Sequence, residues 1–422
     1  MNAPEHLTAP AAGTYQRLFE ARGELVALRR ELHTMPELGF EEHRTAARIV
    51  QALKACGVDE IHQGLGRTGI VATIHGQRLP GEDPNAKPRL IGLRADMDAL
   101  PLREQNDVPW RSSTPGLMHA CGHDGHCAML VGTARHLAQT RRFAGTAVLV
   151  FQPGEEGYGG AREMIADGLF DRFPVESIYA MHNWPHLPPG KIGLNRGAMM
   201  AAADRVNISI QGRGGHGAHP HLSVDPVLIA GHIITAVQSL VSRNIAPIEQ
   251  AVVSLCSMQA GEPSAFSVIP EMAQLTGTVR SFKPEVQQLL EERMSRLVES
   301  VALGFGASAK VDYQRLYPAT VNSAREADFA VRVAQSLVGA ENVDDKLVPS
   351  MGSEDFAFML QARPGAYLRL GQGGPCGLHQ PRYDFNDEIL PLGSALFAAL
   401  VEQGLPLPAS SASPASPAPL PA

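Results

Sequence analysis

The chain has 422 residues, 36 Lys+Arg against 43 Asp+Glu, and a formal net charge of -7. At ~150 residues per domain this length suggests two or three domains with ample core. A 44% hydrophobic and 19% charged composition is that of a globular chain, and the mildly acidic balance offers no global attraction to nucleic acid or anionic membranes. The N-terminus lacks the apolar stretch of a signal peptide. No apolar run approaches the ~20 residues that span a bilayer. Five scattered cysteines are too few for a disulfide framework. A cytoplasmic protein is expected.

In chain order, residues 1–13 read as a disordered N-terminus. Helical spacing then runs from Tyr15 to Leu32 and from Glu42 to Cys56, where Gly57 stops it. Short apolar runs at Arg89–Met97, Thr146–Pro153, Ser177–Asn183 and Ala366–Gly371 read as strands buried on both faces. The Pro-rich Arg78–Pro88 is a surface loop between strands, and Gly125–Gln139 a helix. The middle changes rhythm. Strands at Asp204–Gln211, Ala251–Met258, Glu271–Phe282 and Ala309–Leu316 alternate with helices at Asp225–Val241 and Pro284–Leu303, giving the βαββαβ order of a ferredoxin-like unit. The expected fold is α/β: a mainly parallel-sheet domain, residues 14–200 and 319–404, interrupted by a smaller inserted domain, 201–318. Residues 405–422, rich in Pro, Ala and Ser, read as a disordered tail.

The strongest local signal is Met118-His119-Ala120-Cys121-Gly122-His123-Asp124-Gly125-His126. Cys121 and His123 are good transition-metal ligands, and the glycines let two close side chains converge; the alternative is a Gly-rich turn whose Cys and His merely pack. In an open α/β sheet, sites gather beyond the carboxyl ends of strands. Four expected strand ends deliver Asp98, Glu155 with Glu156, His182, and a loop holding His379. The set Cys121, His123, Glu156, His182 and His379 mixes N, O and S donors, which suits Zn, Mn, Co or Ni in one closed site or two sharing ligands. Of two adjacent glutamates, one can bind metal while the other takes a proton from activated water. A cysteine-nucleophile reading of Cys121 would leave Glu156, His182 and His379 without purpose. Glycosidase chemistry is disfavoured, because adjacent carboxylates rarely flank a scissile bond from opposite sides.

The segments LRRELHTMPELGFEEHRTA (28–46), RADMDALP (94–101), MHACGHDGH, FQPGEEG, MHNWP, GRGGHGAHPH (212–221), GTVRSF (277–282), MGSEDFAFML (351–360) and LHQPRYDFND (378–387) occur in one order over nearly the whole chain. In that order they resemble the aminoacylase and carboxypeptidase family of metallohydrolases, in its branch of hippurate hydrolases, N-acyl-amino-acid amidohydrolases and auxin-conjugate hydrolases. The resemblance implies Cys121, His123, Glu156, His182 and His379 as ligands of one or two divalent ions, Glu155 as general base, and Asp98 as the acid orienting the metal site. Asp96 departs from the His found there in related branches and is expected to be structural. In the inserted domain the resemblance implies His216 as an oxyanion donor, in many relatives to the other subunit's site, with Asn244 beside it and Arg280 as a carboxylate clamp. His219 is given no role, and His221 carries no assignment.

What the resemblance implies is a metal-dependent amidohydrolase cleaving N-acyl amino acids, with the inserted domain serving as lid and as the interface of a homodimer or dimer of dimers. A dipeptidase or carboxypeptidase of the same family is the alternative. A non-catalytic metal-binding protein is a further one, disfavoured because it has no need of Glu155 or His216.

Overall fold

The computed structural model describes residues 9–78 and 87–408. The first helix, α1 (Ala9–Glu20), begins inside the stretch expected to be disordered. Alanine is the strongest helix former, and Tyr15 and Leu18 pack on the main core, which anchors the segment. Residues 1–8 and 409–422, including most of the expected tail, lie outside the described residues, as do 79–86 of the expected Pro-rich loop. Leu405, placed at the start of the expected tail, belongs to the folded unit instead. Leu405 is buried in the core, and its carbonyl accepts from Ala144 N.

Helices α2 (Arg22–Thr34) and α3 (His43–Cys56) follow, and α3 stops at Gly57 in the left-handed region, as its spacing predicted. Strands β1 (Glu60–Leu65) and β2 (Gly69–His75) form an antiparallel hairpin; the Pro-rich loop implied a strand where β2 lies, but β1 was not expected. Then come β3 (Leu90–Asp96), α4 (His123–Thr140), β4 (Thr146–Gln152) and β5 (Ser177–Trp184).

After Met200 the chain leaves this layer. It builds β6 (Ala202–Gln211), α5 (Pro226–Asn244), β7 (Ala251–Ala260), β8 (Met272–Ser281), α6 (Pro284–Gly304) and β9 (Ser308–Tyr317). It then returns through α7 (Ala324–Val338) to β10 (Gly365–Gly371) and ends on α8 (Leu390–Gly404).

The large sheet runs β1-β2-β4-β3-β5-β10 and continues through two short strands, Ile192–Gly193 and Val343–Asp344. Its centre, β4-β3-β5-β10, is parallel. Those strands are buried along nearly their whole length, as a sheet covered on both faces requires. The second sheet is antiparallel, ordered β7-β8-β6-β9, with α5 and α6 on one face: the ferredoxin-like arrangement. Each sheet has its own apolar core.

Helix α5 opens on Asp225, whose carboxylate accepts from Val227 N and Leu228 N, with Pro226 in the first turn. By length and composition alone this helix would be long and apolar enough to cross a membrane, a test that core helices also pass. Here Ile229, Ile233, Val237 and Leu240 bury one face in the core of the second sheet.

A buried ionic network fastens α2 to the start of α4. Arg29 Nε lies 3.1 Å and His33 Nδ1 2.7 Å from Asp124 Oδ2, while Arg29 Nη2 reaches Asp384 at 3.0 Å. Burial opposes a charged imidazole at His33, but Asp124 and Glu104 outweigh it and raise the pKa to about 9. A folded pKa above the unfolded value means that this stability is complete below about pH 6.5 and lost as pH rises through about 9. Urea unfolding at pH 6.5 and 9.5 should therefore show wild type losing up to about 3 kcal/mol more than His33→Gln over that interval. Parallel losses in the two proteins would contradict the assignment.

Candidate metal centre

Gly122 sets the geometry of the CGH motif. Its φ of +97° lies in the left-handed region, and a Cβ there would stand 2.5 Å from Asn183 Oδ1 and 2.6 Å from Tyr383 Oη. Only glycine fits, and with it the chain turns so that Cys121, just before α4, and His123, its first residue, point into one pocket. His182 lies on β5 itself, two residues from its end, not beyond the strand as expected. Glu155 and Glu156 follow β4, and His379 sits in the loop after β10 in a left-handed backbone conformation (φ +59°).

The five candidate ligands converge. Cys121 Sγ is 3.3 Å from His182 Nε2 and 3.3 Å from His379 Nε2, and His379 Nε2 is 3.1 Å from Glu156 Oε1. Cys121, His123 and His182 form one group able to hold a cation; Cys121, Glu156 and His379 form another; His123, Glu155 and Glu156 a third. The shared members link all of them into one cluster.

Hydrogen bonds fix the imidazoles for this work. His123 Nδ1 donates to the carbonyl of Asp98 at 2.9 Å, and His182 Nδ1 to the carbonyl of Asn183 at 2.7 Å. In both rings Nε2 is thereby turned toward the pocket, and at His123 a metal would displace the proton that the surrounding carboxylates favour. Asp98 binds two arms together: Oδ1 is 3.2 Å from His123 Nδ1, and Oδ2 accepts from Glu156 N at 2.9 Å.

The fit to a metal rests on two observations. His123 Nε2 is buried without a hydrogen-bond partner, and buried Glu156 Oε1 has the His379 imidazole at 3.1 Å but no well-aligned hydrogen bond, a costly condition that a cation would relieve. The surrounding charge is also strongly negative. The Arg94 guanidinium meets Asp96 at 2.7 Å, Glu354 at 2.9 Å and Asp355 at 3.1 Å, while Asp98, Glu155 and Glu156 crowd His123 and Cys121. Against the penalty of burial, Asp96, Asp98 and Glu156 hold His123 up at about 10, the mark of a pocket seeking a cation. Burial, and then Glu156 and Glu155, push the Cys121 thiol well up, so its thiolate needs a compensating positive charge.

Glu155 is buried beside this cluster. Burial first, then the Glu354, Glu156 and Asp355 carboxylates, raise its pKa well above the usual range. Its loop is held from the second sheet: Tyr317 Oη donates to Glu155 O at 2.7 Å and accepts from Gly159 N at 3.1 Å.

The site opens into a cavity of about 550 Å³ lined by Cys121, Glu155, Glu156, His182 and His379, with Trp184, Met200, Met351 and Leu378 as apolar wall. Arg280, from β8, reaches the same cavity, and its Nη1 is buried without a partner. His216 and Asn244 do not line it. His216 is exposed on the loop after β6, its Nδ1 accepting from Ala218 N at 3.0 Å, so a neutral ring carries its proton on Nε2 and presents a donor. Asn244 is exposed at the end of α5. The His219 ring lies tilted against that of His216, with ring centroids 5.4 Å apart.

Asp96 is spent on Arg94 and on His126 Nδ1, 2.5 Å away, although the three groups Asp96, His123 and His126 also lie close enough to hold a cation. His126, Arg94, Glu354, Asp355 and Tyr317 had no role in the sequence reading. The first four sit inside the quoted RADMDALP, MHACGHDGH and MGSEDFAFML segments, which was the available signal.

Comparison with known proteins identifies the family. The model of peptidase family M20/M25/M40 matches residues 92–403. The hippurate hydrolase of Campylobacter jejuni is 39% identical over 383 residues, 91% of this chain and 97% of that enzyme. An N-acetylcysteine deacetylase of Bacillus subtilis is 39% identical over 377 residues, 89% and 95% of the two chains. A solved Bacillus subtilis structure, described as a dinuclear metal-binding peptidase of the M20 family, superposes with a TM-score of 0.78 at 35% identity, covering 92% of this chain and 99% of that one. The chain belongs to peptidase family M20/M25/M40 and is a hydrolase of amide bonds.

Proposed function

We propose that the protein cleaves N-acyl amino acids of the hippurate type into a carboxylic acid and a free amino acid. The observation that carries the reading is the five-donor cluster with buried Glu155 beside it, on the wall of a cavity that Arg280 also reaches. The hippurate hydrolase and N-acetylcysteine deacetylase among its relatives support that substrate class.

Cys121, His123, Glu156, His182 and His379 would hold one or two divalent ions, Mn, Zn, Co or Ni. Such ions supply Lewis acidity toward the amide carbonyl and acidify water. Glu155 accepts the proton of the attacking water and passes it to the leaving amine. Its raised pKa is in the direction a base working near neutral pH needs. Arg280 pairs with the amino-acid carboxylate through its free Nη1. Asp98 keeps His123 and the Glu156 loop in register.

His216 and Asn244 lie outside their own chain's cavity, which supports their acting on the site of a partner subunit. There His216 Nε2–H would donate to the developing oxyanion. The reading therefore takes residues 14–200 and 319–404 as the catalytic domain, and 201–318 as the lid and dimer interface. A cytoplasmic location completes it, supported by five free cysteines.

Release of free amino acid from N-benzoylglycine and a panel of N-acyl amino acids tests the reaction. Turnover should vanish on chelation and return with Mn, Zn, Co or Ni; an inert, fully metal-loaded protein would overturn the proposal. Glu155→Gln should keep its metal and lose turnover by about 10²–10⁴-fold. Nearly normal turnover would remove Glu155 from the role of base.

A further inference from the structure

Phe266 is 96% exposed, at the tip of the segment joining β7 to β8. A phenylalanine held in water has no reason in the isolated chain, and it does not stand alone. Val268 is 60% and Leu222 63% exposed, and both belong to the segments around His216. These exposed apolar residues lie on the segments that flank and pair with His216, the imidazole of this loop that the proposed reaction uses.

The backbone makes the two inseparable. Val268 pairs with His216, and Ile269 with Gly215, in a short antiparallel ladder. Gly217 N donates to Ser267 O at 2.7 Å, and Val268 N closes a turn onto Ala265 O at 2.9 Å. Wherever His216 is delivered, Phe266 arrives with it, two residues before the paired Val268 in the turn that feeds this short ladder.

We propose that Phe266 completes the acyl pocket of the partner subunit and selects acyl groups with a large apolar body. The inference rests on the reading of His216 as a donor to the partner's site. The cavity that would receive it has Trp184, Met200, Met351 and Leu378 on its own walls and is open to solvent. An inserted phenyl ring supplies the apolar cover those walls lack, so a benzoyl or branched acyl group is held on both sides, whereas an acetyl group is too small to reach across. The occupant of this exposed apolar tip is the catalytic cavity of a second copy of the chain.

The test uses N-benzoylglycine and N-acetylglycine, which share one leaving amino acid. In Phe266→Ala the benzoyl-to-acetyl ratio of kcat/KM should fall about tenfold or more, the scale on which apolar pockets discriminate. Mixed dimers, purified through two different tags, decide between the subunits. When a Phe266→Ala chain is paired with a Glu155→Gln chain, the only site with an intact base faces the flap that retains Phe266, and the wild-type ratio should return. A ratio equal to that of the Phe266→Ala homodimer would place Phe266 at its own chain's site and overturn the proposal. So would an unchanged ratio in the homodimer, or a fully active monomer by light scattering. Wild-type inactivity on both substrates would instead reject the N-acyl amino acid reading, and the proposal with it. Activity on them with an unaltered ratio rejects the Phe266 role alone.

Discussion

Packing several carboxylates into one water-poor pocket is the constraint on which this structure turns. Each buried charge costs several kcal/mol unless a counter-charge and hydrogen bonds meet it. Arg94 supplies part of the answer, bridging Asp96, Glu354 and Asp355 beneath the floor of the site. What Arg94 leaves unbalanced is concentrated at His123, Cys121 and Glu156, close together in one candidate ligand cluster, with His123 Nε2 left without a partner. The fold tolerates the excess because strand ends at the centre of a rigid sheet hold the groups at fixed separations. The same excess is what gives a divalent ion a reason to bind.

The second sheet does more than cover this pocket. Through Tyr317, the end of β9 holds the backbone of Glu155, so the placement of the base is tied to the segment that returns from the inserted unit. Through Arg280, β8 sends one cation into the cavity. Its far end behaves differently: His216, Leu222, Phe266 and Val268 face solvent together. One unit thus presents a face that serves its own chain's cavity and an apolar tip with no use in its own chain.

Much of this was legible in the sequence where short-range chemistry dominates. The apolar runs of β3, β4, β5 and β10 lie almost where they were expected, as do α3 with its Gly57 stop and the alternation of the inserted unit. The strand before the Pro-rich loop was implied but given no range, and its hairpin partner β1, EIHQGL at the sheet edge, was missed because it is largely exposed and carries no apolar run. The candidate ligands were visible as chemically able residues near strand ends, but their supporting charges were not. Glu354 and Asp355 lie some two hundred residues from Glu155, and nothing local in MGSEDF tells that its acids will be buried against Arg94. His216 is an ordinary loop histidine until its family resemblance is seen, and the exposure of Phe266 is a property of the folded surface alone.

Anomalous diffraction from crystals of the protein grown with Mn²⁺ addresses the metal centre directly. Strong difference peaks should lie within about 2.0–2.3 Å of His123 Nε2, His182 Nε2 and a Glu156 oxygen, with Cys121 and His379 completing the coordination and Asp96 still on Arg94. A pocket without a peak at full Mn²⁺ occupancy in solution, or a peak seated on Asp96 and His126 instead, would contradict the assignment of these five residues as the metal-binding set.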